Sequence, residues 1–60
     1  MSVKAKLRSA LRAIDDAASA LRRARDNTDP NSEHQIRRAL SELDDAERYI
    51  KRAISEVPDD

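Results

Sequence analysis

Asp15-Asp16 and Asp44-Asp45 are the residues with the most scope for chemistry in this chain. Paired carboxylates can hold a hard cation or move protons. Adjacent residues on a helix diverge by about 100°, however, so neither pair converges on one ion. Arg12 lies one turn from the first pair and Arg48 one turn from the second. Solvated ion pairing on the surface is therefore their expected role. His34 is the single histidine, and there is no cysteine. One imidazole supplies neither a zinc or copper site nor a base for the Ser and Thr hydroxyls. With no glycine there is no phosphate-cradling loop. No catalytic, metal-binding or cofactor-binding residue is assigned, no small-molecule substrate is expected, and the expectation is that the chain is not an enzyme.

A second chemistry to weigh is phosphate contact. Residues 1–26 carry seven basic and three acidic side chains, net +4, and the remainder balances this with −4. Arg8, Arg12, Arg22, Arg23 and Arg25 are the candidate nucleic-acid contacts on this basic segment. Asp26, Asp29 and Glu33 interrupt the cluster, and the chain's one aromatic residue, Tyr49, lies in the other half. Zero net charge and no evident exposed aromatic for base stacking make nucleic acid a secondary expectation rather than the leading partner.

What must position these side chains is a very small scaffold. The chain has 60 residues, 40% charged and 38% hydrophobic, which is one domain at most. Ten of its apolar residues are alanine, leaving 13 larger ones. A domain of this size buries only about 60% of its unfolded surface, and without disulfides or metal such scaffolds commonly gain stability by oligomerising. Disorder is excluded by the strict apolar periodicity and the neutral charge. The longest stretch without a charged residue is 17–21, far short of the roughly 20 apolar residues that span a bilayer. No apolar signal segment follows Met1, so a natural chain of this kind is expected in the cytoplasm.

Two helical segments flank the breaker cluster Asn27-Thr28-Asp29-Pro30-Asn31-Ser32. The whole chain, 1–60, reads as one helix-turn-helix unit, with a first helix over 3–27, a loop over 28–31 and a second helix over 32–57. Ser2 is the expected first N-cap. Asn27 is expected in the left-handed conformation that ends many helices. Asp29-Pro30 and a Ser32/Gln35 capping box both offer starts for the second helix, so it begins within 30–33. Pro58 stops it.

Both helices carry a 3.5-residue period. Leu7, Ile14 and Leu21 alternate with Val3, Ala10, Ala17 and Ala24 in the first; Ile36, Leu43, Ile50 and Val57 alternate with Ala39, Ala46 and Ala53 in the second. Folded antiparallel with facing residue numbers summing to 60, each inner layer joins one large side chain to one alanine. It resembles the close-packed antiparallel pair called an Alacoil. Ala17→Leu or Ala46→Leu is expected to overpack such a layer. The flanking pairs Lys6/Glu56 and Arg25/Glu33 are opposite in sign, and Tyr49 is expected to cap the core edge opposite Ala13. Leu11, Ala18, Leu40 and Ile54 fall outside these layers. They are the expected self-association surface, through which two hairpins pair into a four-helix bundle. The predicted fold class is thus all-α, an antiparallel helical hairpin, with a second copy of itself as the expected partner. A different protein meeting the same stripe, within a heteromeric complex, is the alternative.

Leu7–Asp26 is repeated in Ile36–Ser55, with eight of the 20 aligned pairs identical, outward Asp pairs included. Internal repetition, neutral charge and large/small layering suit a designed hairpin as well as a natural one, and both origins stay open. In layout the chain resembles the Rop-type hairpins, and the resemblance spans its whole length. It implies a dimeric antiparallel four-helix bundle and an RNA-binding or adaptor role. Rop-type binding uses an aromatic residue on the first helix, where this chain has none, so no binding residue carries over.

Overall fold

The order of elements follows from the caps. In the computed structural model, residues 2–58 are described: helix α1 spans Val3–Arg25 and helix α2 spans Pro30–Glu56. The Ser2 hydroxyl accepts the Ala5 N–H at 2.9 Å and opens α1. Arg22, Arg23 and Arg25 fill its last turn, where cations complement the helix dipole. Asn27 ends α1 without a left-handed residue. Its N–H donates to the Ala24 carbonyl at 3.1 Å and its side-chain amide to the Arg23 carbonyl at 3.3 Å. No described residue has positive φ, so the left-handed conformation expected at Asn27 is not adopted. A side chain able to satisfy a terminal carbonyl directly removes the need for it.

Of the two starts open to α2, the chain takes Asp29-Pro30. One Asp29 carboxylate oxygen accepts the Ser32 N–H at 2.9 Å, the other accepts the Ser32 hydroxyl at 3.3 Å, and Pro30 occupies the first turn, where no N–H is required. Val57 is extended ahead of Pro58, and its N–H closes the last turn on the Ala53 carbonyl at 3.1 Å.

The two helices pack against each other as a hairpin 47 × 16 × 10 Å in extent, a single layer of structure. Which side of α1 turns inward differs from the large/alanine layering. Ala10, Ala17 and Ala24 are exposed, and Val3 is 60% exposed. The inward row is instead Leu7, Leu11, Ile14, Ala18 and Leu21, and Ala18, at 8% exposure, is the one described residue that is buried. Both rows step by fours and threes, so both are valid heptad seams; α1 is rotated by roughly 50°, half the angle between neighbouring residues, from one to the other. Volume decides between them: the adopted row places Leu11 and Ala18 inward where the other places Ala10 and Ala17, and more apolar area leaves water.

Helix α2 keeps a broader inward stripe. Ile36, Leu40, Leu43, Ile50, Ile54 and Val57 are half-buried, as are Ala39, Ala46 and Ala53 on its flank. Leu11, Leu40 and Ile54, expected beside the seam as a surface for a second chain, are half-buried within the single hairpin, and Ala18 is buried there. Tyr49 and Ala13 are both exposed, Tyr49 by 67%, so the tyrosine does not cap the core edge.

Candidate functional site

The rotation of α1 gives the hairpin two unlike faces. One edge is closed and polar. Ile14, Ala18 and Arg22 from α1 meet Leu40, Leu43, Asp44 and Glu47 from α2 around a cleft of about 30 Å³, room for roughly one water. Above it the carboxyls of Asp15 and Glu47 lie within hydrogen-bonding reach across the interhelical gap. That bond raises the Asp15 carboxyl above its ordinary value, and the Glu47 charge adds to the rise. Glu47 is lowered, first by accepting from Asp15, then by Lys51, whose ammonium lies 3.1 Å away, with Arg22 adding to the same effect. Two carboxyls and the Lys51 ammonium thus interact across the seam, and the two carboxyls titrate as a pair. The sequence missed it: in the expected register Asp15 pointed to solvent beside Arg12.

The other acidic pair behaves as expected. Asp44 lies 3.7 Å from Arg48, and Asp45 hydrogen-bonds the same guanidinium, all exposed. Glu33 pairs with Arg37 of its own helix at 2.8 Å, where pairing with Arg25 across the hairpin was anticipated. His34 is exposed beside Pro30, Glu33 and Arg37 in an open dent at the hairpin tip. Among the described residues no group of three His, Cys, Asp or Glu is arranged to hold a metal ion, and no helix is long and apolar enough to cross a membrane.

The candidate phosphate contacts are spread along α1. Arg8, Arg12, Arg22 and Arg23 are exposed, Arg25 is half-buried, and Arg8 and Arg22 stand roughly 21 Å apart along the helix. Arg22 lines the same cleft as Glu47 and adds to the lowering of its carboxyl.

The opposite face is open. Ala10, Ala13, Ala17, Ala20 and Ala24 are all exposed and fall within an arc of about 80° on α1. Antiparallel packing brings the corresponding flank of α2, with Ala39, Ala46, Ala53 and Tyr49, to the same side. Eight of the ten alanines therefore share one face of the layer. No protein-family model, curated protein or solved structure matched this chain.

Proposed function

We propose that the chain is a non-catalytic interaction module whose activity is association with itself, two hairpins pairing into a four-helix bundle. The observation that carries this reading is the surface left in water. The chain exposes 4718 Å² at a mass of 6.8 kDa, whereas a folded monomer of that mass exposes about 4,000 Å². The excess of roughly 700–800 Å² is what one partner contributes to a standard protein interface. One buried alanine is no core, and domains bury their apolar faces between two layers where this chain has one.

The radius of gyration supports the same conclusion. It is 14.2 Å, against about 10 Å for a compact 60-residue domain. An elongated single layer is half of a bundle in shape as well as in surface.

Sedimentation equilibrium tests the proposal directly. The expected mass at micromolar concentration is twice 6.8 kDa, with a melting temperature that rises with protein concentration because association stabilises the folded state. A cooperatively folded species of single-chain mass, with a melting temperature independent of concentration, overturns it.

A further inference from the structure

Building on the self-association proposed above, we propose that the second copy seats on the open face lined by Ala10, Ala13, Ala17, Ala20, Ala24 and Tyr49, and not on the Leu11/Leu40 edge. The closed edge is unsuited to it. Asp15, Arg22, Asp44, Glu47 and Lys51 cover that side, and burying them would strip water from several charges at once. The open face carries fewer charges: Lys6 of α1, towards the open end of the hairpin, and Glu42 of α2, beside Tyr49.

The size of the missing contact matches. The excess exposed surface is close to the area one chain loses in a standard interface, and the open face is where exposed apolar side chains adjoin. Five exposed alanines along roughly 21 Å of helix form a flat floor that lets another backbone come close.

The face also complements itself, which selects a copy of this chain over another protein. It carries a flat half, the α1 alanines, and a raised half, with Tyr49 projecting from α2 at 67% exposure. A twofold operation can bring each raised half against a flat half, as isologous contacts require. Lys6 and Glu42 within this face and Arg38 and Glu56 at its rim, all exposed, have mixed signs and leave no net field to attract a partner of one charge.

Thiol accessibility tests the assignment in the intact chain. The protein has no cysteine, so Ala17→Cys introduces a single small thiol on the face and Arg12→Cys a single thiol on the back of α1. The rate of maleimide labelling is measured from nanomolar to high micromolar protein, with sedimentation on the same samples. The expected result is a labelling rate at Ala17→Cys that falls about ten-fold or more as the dimer forms, while Arg12→Cys labels at one rate throughout. Ala17→Glu, followed by sedimentation and circular dichroism, should raise the dimer dissociation constant at least about ten-fold, since it buries an unpaired charge. Arg12→Glu should leave it within about two-fold. A dimer in which Ala17→Cys labels at one rate at every concentration overturns the face assignment and leaves self-association standing. A folded monomer throughout overturns both.

Discussion

Asp15 of α1 and Glu47 of α2 place two carboxyl groups within hydrogen-bonding reach of each other across the closed edge of the hairpin. The Asp15 carboxyl is raised, so its proton stabilises the folded chain. That contribution is fully present below its unfolded pKa, near 3.8, and is lost as pH rises through the raised folded value. Glu47 is lowered, so its contribution is present above its unfolded pKa, near 4.5, and is lost as pH falls through the depressed folded value. The two contributions therefore run in opposite directions with pH, that of Asp15 greatest in acid and that of Glu47 lost there.

Asp15→Asn keeps a hydrogen-bond donor in place at every pH and removes the charge that opposes Glu47. Its melting temperature should exceed that of the unsubstituted chain at pH 7, with the advantage shrinking as pH falls into the window where Asp15 carries its own proton. Thermal melts followed by circular dichroism across that range check the sign. An advantage that grew towards acid would contradict the pairing.

The N-caps give a separate pH signature. Asp29 is lowered, chiefly by the Ser32 N–H it accepts, so its stabilisation is present above its unfolded pKa, near 3.8, and is lost as pH falls through the depressed folded value. Asp29→Asn keeps the cap and should flatten this part of the acid transition, whereas Asp29→Ala should lower the melting temperature at pH 7. Ser2→Ala removes a cap that does not titrate. It should cost about 0.5–2 kcal/mol at all pH values, with a fall of roughly 4–8 °C per kcal/mol in a domain of this size.

The helices, the turn and the antiparallel pairing were all legible in the sequence, because breaker residues, caps and a 3.5-residue period each mark them locally. The face α1 turns inward was not. Leu7, Ile14 and Leu21 belong to both possible seams, and only the comparison of Leu11 and Ala18 with Ala10 and Ala17 separates them. Reading alanine as the small half of each layer favoured one seam, while burial of the larger Leu11 favours the other. That single rotation moved Ala18 inside, left Ala17 outside and turned Asp15 towards Glu47. Those three placements trace to it, which is why an alternating pattern with two equivalent frames requires volumes, and not periodicity alone, to be resolved.

Overpacking therefore belongs at position 18. Ala18→Leu has to fit three extra carbons beside Ile14, Leu40 and Leu43, where the existing cleft holds about one water. It should cost about 1–3 kcal/mol despite the helix propensity of leucine. Ala17→Leu, on the exposed face, should leave the packing within one hairpin unstrained and change the association constant instead. Denaturant titration for the first and sedimentation for the second distinguish the two seams, and strain at position 17 within a monomer would restore the large/alanine layering.

Tyr49 reports assembly without any substitution. It is the chain's only aromatic residue and is 67% exposed in the single hairpin, so its emission comes from one known place on the open face. Aromatic side chains at interfaces commonly fill a contact while the hydroxyl reaches water, which shields the ring from collisional quenchers. Acrylamide quenching should fall as protein concentration rises through the association range, and the change should track the mass from sedimentation. Tyr49→Lys should weaken association while leaving the helical circular dichroism of any folded species unchanged, since within one chain Tyr49 is not part of the buried seam. If quenching were independent of concentration while the mass doubled, the chains would be meeting on the other side of the layer, where Arg22, Asp44 and Glu47 would have to lose their water.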